Sequence, residues 1–258
     1  MKYKHPLDRY LRVERLPHIW CPGCGIGIFL NQFTRALRDL ERRIDLDKVV
    51  IVSGIGCSGR ISGYINLDGA HVLHGRAIPL AIGVKLAKPE LKVVVIGGDG
   101  DIASIGLNHL IHAARTNINI SVIMINNMIY GMTGGQVAPT TPRNAYTKST
   151  PYGNPLNPLN VVKLVAVAGA TYIARWTIAH PVQLKRSIEK LILHSGFGFL
   201  EVISVCPEIF GRMNGYSKPI DMIKDLTRMS RITPKFNPYN SDIIWGKCIP
   251  CGEYYREG

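Results

Sequence analysis

The sequence predicts an α/β fold with a doubly wound, mainly parallel sheet. The first observation behind this prediction is four continuous apolar runs, at residues 48–53, 92–97, 120–125 and 199–205. Apolar residues do not alternate with polar ones in these runs, which is typical of central strands covered on both faces. The second observation is that helical patterns fall between the runs. This alternation favours right-handed crossovers within one sheet.

Five helices and one further strand are predicted between and after these runs. The segment 77–87 is expected to be a buried helix that ends before Pro89. The first helix has an apolar face at helical spacing, formed by Ile26, Phe29, Leu30, Phe33, Leu37 and Leu40. The remaining helices are expected at 103–115, 160–168 and 181–194, with a strand at 171–176 before the last of them.

Two segments lack this periodicity. Residues 130–157 are rich in Gly, Thr, Pro and Asn, and a loop of that length inside a compact domain is usually functional. The chain beyond residue 206 is also poorly periodic and is rich in Lys and Arg. We therefore predict one α/β domain over residues 1–206 and an irregular C-terminal extension over 207–258.

Bulk properties narrow the class of protein. A chain of 258 residues with a hydrophobic fraction of 46% can bury a core, and no apolar run approaches the roughly 18 residues of a membrane span. The basic N-terminal stretch lacks the apolar core of a secretory signal, so a cytoplasmic protein without membrane contact is expected. Its six cysteines then serve metals or catalysis rather than disulfides. The net charge of +13 suits an acidic protein partner, because the chain carries no nucleic-acid-binding signature.

Candidate ligands follow the ends of the predicted strands. Cys57, Asp99, Asn127 and Cys206 each come just after one of the four apolar runs. In an open α/β sheet, ligands bind outside the carboxyl ends of the strands. We therefore expect these four side chains at one edge of one sheet.

A diphosphate and a divalent metal are predicted at residues 98–101, whose sequence is GDGD. Glycines allow a phosphate to approach the backbone, and a helix N-terminus attracts an anion. The oxygen ligands Asp99 and Asn127, with diphosphate oxygens and water, suit Mg²⁺. This pattern resembles the thiamine diphosphate signature, GDG followed by NN. The resemblance implies that Asp99, Asn127 and the carbonyl of Ile129 hold the Mg²⁺; the alternative is a glycine turn followed by an Asn turn.

Four cysteines form a second candidate site, because Cys21 and Cys24 lie in a CPGCG motif and Cys57 and Cys206 follow strands. Four such thiolates can hold a [4Fe–4S] cluster or a structural zinc. A redox centre beside a thiamine cofactor favours the cluster. Cys248 and Cys251 form another CxxC in the tail, which we interpret as two plain thiols, with a separate metal or redox site as the alternative.

The motifs together resemble one family. CPGCG, GIGCSGR, HGRA at 74–77, GGDGD, INN and YGMTGGQ at 130–136 are similar to those of the β subunits of archaeal or bacterial 2-oxoacid:ferredoxin oxidoreductases. GCSGR and YGMTGGQ followed by APTTP resemble the 2-oxoglutarate branch most. The resemblance implies a thiamine diphosphate-binding fold of the diphosphate-domain type. It also implies that the extension packs on this domain or on a partner subunit.

The resemblance also implies residue roles. His74 would reach the thiamine or the substrate, and Arg60 would pair with a substrate carboxylate, which a guanidinium fits well. The alternatives are a structural histidine and a surface cation, and His109 and His112 are expected to be packing or surface residues. The residues implied to line the cofactor are Ile55, Gly56, Cys57 and Ser58, with Gly100, Asp101, Gly131 and Met132 at the diphosphate.

The implied activity is oxidative decarboxylation of a 2-oxoacid, with coenzyme A as acyl acceptor and electrons passing through the cluster to ferredoxin. No second α/β domain fits in the chain, so an α subunit is expected to supply the activating Glu, and this chain alone is expected to be inactive. Alternatives are a pyruvate- or indolepyruvate-type subunit, a non-redox thiamine decarboxylase half, or an iron–sulfur carrier. The candidate basic docking face for acidic ferredoxin consists of tail residues, namely Arg212, Lys218, Lys224, Arg228, Arg231 and Lys235.

Overall fold

The computed structural model describes residues 5–256. Six α-helices and ten strands were assigned within them. The helices are α1 (Gly25–Leu40), α2 (Ala77–Ala87), α3 (Leu107–Thr116), α4 (Val161–Ala168), α5 (Pro181–Leu193) and α6 (Pro219–Met229). The strands are β1 (Val49–Ser53), β2 (Asp68–His71), β3 (Lys92–Gly98), β4 (Ser121–Asn126), β5 (Ile129–Tyr130), β6 (Gln136–Val137), β7 (Tyr172–Thr177), β8 (Gly198–Ile203), β9 (Ser230–Ile232) and β10 (Ile249–Tyr255).

Eight strands form one sheet in the order β2-β1-β3-β4-β8-β7-β10-β9. The six strands from β2 to β7 pair in parallel, and β10 then pairs with β7 antiparallel. The predicted α/β fold with a mainly parallel sheet is therefore confirmed. Strands β5 and β6 form a small separate hairpin.

Helices cover both faces of the sheet. Apolar side chains of α1, α5 and α6 form one core cluster with one face of the strands, whereas those of α2, α3 and α4 form a second cluster on the other face. Every residue of β4, β7 and β8 is buried. This double coverage is the physical reason that the central strands are continuous apolar runs.

The structure differs from the expectations in three places. Helix α2 is buried only at Ala77, Ile78 and Ala81, and its Leu86 is 68% exposed. A π-helical turn over Asp101–Ile105 precedes α3, which therefore begins later than predicted. Strand β2 was not predicted, because its exposed sequence DGAH has no β-branched residue to signal a strand.

The chain beyond Cys206 is more regular than its sequence indicates. It contains α6, β9 and β10, and β10 extends the main sheet. Because Pro and Gly are unfavourable inside strands, the sequence IPCGEYY does not predict this strand. The division of the chain at residue 206 into a domain and an extension stays a prediction. Among residues 5–256, no helix is both long and apolar enough to cross a membrane.

Candidate cofactor and thiol sites at one sheet edge

Two neighbouring cavities lie at the carboxyl edge of the parallel sheet. The first, which we call the Asp99 cavity, has a volume of about 250 Å³. It contains every residue for which a thiamine, diphosphate or Mg²⁺ contact was predicted. Its lining is Ile55, Gly56, Cys57, Ser58, His74, Gly98, Asp99, Gly100, Asp101, Asn127, Ile129, Tyr130, Gly131, Met132 and Thr133. These residues come from loops that follow β1, β2, β3 and β4.

Asp101 joins two of these loops. Its buried carboxylate oxygen Oδ1 lies 2.8 Å from Nδ1 of His74 and accepts the backbone N–H groups of Gly75 at 2.7 Å and Ile55 at 3.3 Å. The other oxygen, Oδ2, packs against Gly54, where a Cβ atom would lie 2.1 Å away. A residue larger than glycine therefore does not fit at position 54. Asp101 holds His74 and the loop after β1 in place.

Three oxygen positions converge at Asn127. The side-chain oxygen position of Asn127 lies 3.1 Å from Oδ1 of Asp99 and 2.8 Å from the carbonyl oxygen of Ile129. If the amide is turned, its nitrogen donates to both oxygens. In the other orientation the three oxygens face one another with no proton between them, which is the arrangement that a bound cation stabilises.

Asp99 is buried, and burial raises the pKa of its carboxyl to about 6, although Thr140 and backbone N–H groups stabilise the charged form. Thr140 Oγ1 donates to Oδ2 of Asp99 at 2.5 Å. Tyr130 donates to the carbonyl of Gly100 at 3.0 Å and lies edge-on to the ring of His74. Thr140 and Tyr130 lie in the APTTP and YGMTGGQ motifs, but neither motif by itself indicates a contact with Asp99 or His74.

A buried ion pair anchors the turn that carries Asn127. Arg175 Nε donates to Glu201 at 2.5 Å, and both side chains are buried in the sheet. The other oxygen of Glu201 accepts from Asn126 Nδ2 at 2.8 Å, and Asn126 Oδ1 accepts from the N–H of Met128 at 3.1 Å. The guanidinium also donates to the carbonyl of Ser241. The network thus connects the turn after β4 with the C-terminal segment.

The second cavity, which we call the thiol cavity, has a volume of about 100 Å³. All four cysteines predicted as cluster ligands line it, although they come from three separate segments of the chain. Its lining is Ile19, Trp20, Cys21, Cys24, Cys57, Arg60, Asn127, Gly131, Met132, Cys206, Pro207, Glu208 and Ile209. Within the described chain, no three His, Cys, Asp or Glu side chains were found that could hold a single metal ion together.

Burial sets the electrostatics of these thiols. It raises the pKa of Cys24 to about 12 and also raises the pKa values of Cys57 and Cys206. Backbone N–H groups of Ile26 at Cys24 and of Phe210 at Cys206 act in the opposite direction, but burial outweighs them. Thiolates at these positions therefore require cations in the cavity.

The two cavities share a wall. Cys57, Asn127, Gly131 and Met132 line both of them. The loop after β1 thus presents Cys57 to the thiol cavity and also borders the Asp99 cavity. Of the four thiols, Cys57 borders both cavities, whereas Cys21, Cys24 and Cys206 line the thiol cavity alone.

Some candidate residues lie elsewhere. Arg60 lines the thiol cavity and not the Asp99 cavity, so the structure separates it from His74. His109 contacts Arg76 and His112 is exposed, and neither lines either cavity, as expected for packing or surface residues.

The tail thiols are also apart from the four cysteines. Cys251 is fully buried in β10 and Cys248 is half-buried, and neither lines the thiol cavity. The sulfur of Cys251 donates to the carbonyl of Ile249. Burial raises the pKa of Cys251 to about 12, which suits an inert core thiol.

The fold and the Asp99 cavity define a thiamine diphosphate-binding domain. Residues 54–202 match the family model described as the C-terminal TPP-binding domain of thiamine pyrophosphate enzymes. Relatives that match over nearly the whole chain identify the kind of thiamine enzyme. The chain is 51% identical over 253 residues to the 2-oxoglutarate synthase subunit KorB of Methanothermobacter thermautotrophicus. This match covers 98% of this chain and 87% of that protein.

Two further comparisons agree. Subunit beta of 2-oxoacid:ferredoxin oxidoreductase 2 of Aeropyrum pernix is 45% identical over 188 residues, 73% of this chain and 60% of that protein. A solved structure of 2-oxoglutarate:ferredoxin oxidoreductase from Magnetococcus marinus, with 2-oxoglutarate, coenzyme A and succinyl-CoA bound, superposes with a TM-score of 0.84. That likeness has 34% identity and covers 99% of this chain and 86% of the other. The chain belongs to the β subunits of the 2-oxoacid:ferredoxin oxidoreductases, and it is about half identical to subunits of the KorB branch.

Proposed function

We propose that this chain is the thiamine- and cluster-binding subunit of a 2-oxoglutarate:ferredoxin oxidoreductase that uses coenzyme A and works only with an α subunit. The observation that carries the proposal is the wall shared by the Asp99 cavity and the thiol cavity. This wall supports the proposal because a diphosphate–metal site in the first cavity would be a direct neighbour of the thiols. The names of the KorB relatives supply the 2-oxoacid.

The residues present fit Mg²⁺ and a diphosphate. Asp99, Asn127 and the carbonyl of Ile129 supply three converging oxygens, and a divalent cation would stabilise the buried carboxylate whose pKa burial raises. Residues Gly100 and Asp101 lie where β3 passes into a helical turn, whose first N–H groups have no helical partners. Such N–H groups are suited to bind the diphosphate oxygens.

The thiol cavity fits a [4Fe–4S] cluster better than a single zinc ion. A cluster contains four irons and four sulfides, so it needs a cavity between its thiolates. The N–H groups directed at the sulfurs of Cys24 and Cys206 match the hydrogen bonds that tune such clusters. We therefore propose Cys21, Cys24, Cys57 and Cys206 as its ligands.

When bound, thiamine diphosphate supplies the decarboxylation chemistry and the cluster accepts single electrons. His74 is held through Nδ1 by Asp101, and no described residue bonds its Nε2. Because the carboxylate accepts the proton of Nδ1, a neutral ring presents Nε2 as an acceptor to the cavity. We propose that this atom contacts the cofactor or the substrate. Arg60 remains a proposed partner of a substrate carboxylate, although it lies on the thiol side.

An α subunit is proposed to cover the Asp99 cavity. Large apolar side chains around this cavity are exposed in the single chain, including Leu73 at 77%, Ile105 at 47% and Met132 at 44%. Exposed apolar groups around a concave site mark an interaction surface. A subunit seated there would exclude water from the cavity and complete the substrate pocket.

The test is a panel of 2-oxoacids with coenzyme A and a viologen acceptor, assayed on the complex that co-purifies with this chain. We expect reduction of the viologen to be fastest with 2-oxoglutarate, and iron, sulfide and an EPR signal of the reduced protein to accompany it. Decarboxylation without iron would instead identify a non-redox thiamine decarboxylase. Turnover by the purified single chain would contradict the proposed need for an α subunit.

A further inference from the structure

We propose that the exposed surface around Cys21 is the docking site for the acidic electron-carrier protein that receives the electrons. We call it the Cys21 surface and define it by Arg15, Ile19, Cys21, Arg212 and Lys218. The inference rests on the proposed function, because it requires a redox group in the thiol cavity. It locates the partner on the molecule, which the family resemblance does not do.

The first step is that the thiol cavity opens to solvent at Cys21. Of the four cavity thiols, Cys21 is exposed whereas Cys24, Cys57 and Cys206 are partly covered. Residues 14–23 are all exposed apart from Trp20, and Ile19 at the mouth of the cavity is 66% exposed. A carrier bound there would approach the thiol cavity at Ile19 and Cys21, which do not line the Asp99 cavity.

The second step is that this exposed segment is fixed in place. Trp20 Nε1 donates to the carbonyl of Cys57 at 2.7 Å, and its ring packs between His18 and Tyr64. The N–H of Ile19 donates to the hydroxyl of Tyr64 at 2.8 Å. A docking partner would therefore meet a surface whose shape exists before binding, which lowers the entropic cost of association.

The third step concerns charge. Pro219 packs against Gly23, since a Cβ atom on Gly23 would lie 2.4 Å from it, and this contact places Lys218 beside the CPGCG turn. Lys218 is exposed and forms no ion pair with a described residue. The side chains of Arg15 and Arg212 are 51% and 71% exposed.

Three acidic residues belong to the same region, and one of them is the half-buried Asp221 in the first turn of α6. Glu14 lies 4.0 Å from Arg15, and Glu208 pairs with Arg212 at 2.6 Å. With Lys218 and Arg60 included, basic residues outnumber acidic ones at the mouth of the cavity, so its net charge is positive. An apolar centre at Ile19 within a rim of cations suits a transient complex with an acidic protein, since such charges steer association.

Another basic tail residue lies farther from this surface. Helix α6 starts at Pro219 and has 11 residues, so it spans about 16 Å. Arg228 lies near the other end of this helix and pairs with Asp225. The Cys21 surface thus contains Arg212 and Lys218 of the six tail cations that the sequence offered, together with Arg15 from the N-terminal segment.

The test measures binding of an acidic ferredoxin to the complex of this chain with its partner subunit, by calorimetry at low ionic strength. The double variant Arg15→Glu/Lys218→Glu is compared with Lys88→Glu/Arg115→Glu. The control carries the same change in net charge at exposed sites near the ends of α2 and α3, at the opposite edge of the sheet. We expect the first variant to weaken binding by about tenfold or more and the control by about twofold or less.

Iron content and viologen reduction should be the same in both double variants, because neither alters a cavity residue. The difference in affinity should shrink as salt is added. Equal weakening in both variants would overturn the proposal, and so would loss of co-purification of Arg15→Glu/Lys218→Glu with its partner subunit, which would make this surface a subunit interface. Calorimetry needs no turnover, so an unmodified complex that binds ferredoxin but reduces no viologen would refute the proposed function and not the docking site.

Discussion

The Asp99 cavity and the thiol cavity share a wall, but their polar groups are satisfied in different ways. In the first, Thr140 stabilises Asp99, and Asp101 holds His74 and two backbone N–H groups. In the second, buried thiols have pKa values raised by burial. Burial raises the pKa values of ligands in both cavities, but hydrogen bonds from Thr140 and backbone N–H groups stabilise the charged form of Asp99, whereas burial dominates at the thiols.

Loss of the ligand from one cavity should therefore leave ligand binding in the other cavity intact. Hydrogen bonds between protein groups persist when the ligand is removed, so the Asp99 cavity should keep its shape without iron. The thiols come from three distant segments that an iron cluster would hold together. Substitutions of residues that line only one cavity test whether the two sites are independent. Cys57 and Asn127 line both cavities and are unsuitable for this purpose.

The largest effect is expected from Cys24→Ser. Replacing a buried ligand should abolish the reduced-cluster EPR signal and most of the bound iron, because a hydroxyl is a poor ligand for a cluster that prefers thiolates. Thiamine diphosphate binding should change by about twofold or less. Cys248→Ser is the matched control and should retain the iron, since this thiol lies outside the thiol cavity. A full complement of iron in Cys24→Ser would contradict the ligand assignment.

The next effect is expected from Glu201→Gln, which leaves Arg175 charged and buried without its partner. We expect the free energy of unfolding to fall by about 3–5 kcal/mol, measured by chemical denaturation of the complex. Glu41→Gln breaks an exposed ion pair with Arg9 and should cost about 1 kcal/mol or less. Weaker thiamine diphosphate binding in Glu201→Gln with unchanged iron would show that the network supports the turn of Asn127. If both variants lost the same free energy of unfolding, burial of the pair between Arg175 and Glu201 would not explain its contribution to stability.

Asp99→Asn should weaken thiamine diphosphate binding in the presence of Mg²⁺ by about 100-fold, or roughly 2.7 kcal/mol, because an anionic ligand is replaced by a neutral amide. Titration calorimetry measures this loss, and iron analysis of the same sample should show no change. Unaltered cofactor affinity would disprove the metal assignment. Loss of iron together with the cofactor would show that the two cavities are not separable.

The smallest effect is expected from Thr140→Val, which removes the donor to Oδ2 of Asp99. The lost hydrogen bond to a charged group should cost about 1.5 kcal/mol, so thiamine diphosphate affinity should fall about tenfold. Thr147→Val is the matched control, since Thr147 is buried in the same long loop but bonds Thr150 and not Asp99. Equal losses in both variants would point to the loop as a whole and not to the contact with Asp99.

Much of the sheet was predictable because continuous β-branched runs and helical periodicity are local signals. Five strands (β1, β3, β4, β7 and β8) and four helices (α1, α2, α4 and α5) follow from such patterns. Strands β2 and β10 were missed, since one lies exposed at an edge and the other contains Pro and Gly. Neither segment has a residue pattern that predicts a strand. Both become strands because they pair with neighbouring strands of the main sheet.

The ligands of the candidate site were also predictable from local patterns, but the contacts that hold those ligands were not. Ligand types that follow parallel strands must meet at the carboxyl edge, so Asp99 and Asn127 were expected together with Cys57 and Cys206. The contacts of Thr140 with Asp99, and of Glu201 with Asn126, join segments far apart in the chain. No spacing rule connects such positions, so the sequence could not reveal them.

By itself, the sequence determined which chemical groups the sheet edge presents, because residue type and strand order fix both the ligands and the edge. Only the tertiary structure decided how those groups are divided. It made Cys57 and Asn127 part of a wall between two cavities, put Arg60 with the thiols instead of with His74, and opened the thiol cavity at Cys21. The physical reason is that the direction of a loop side chain depends on packing between distant segments, which no local pattern encodes.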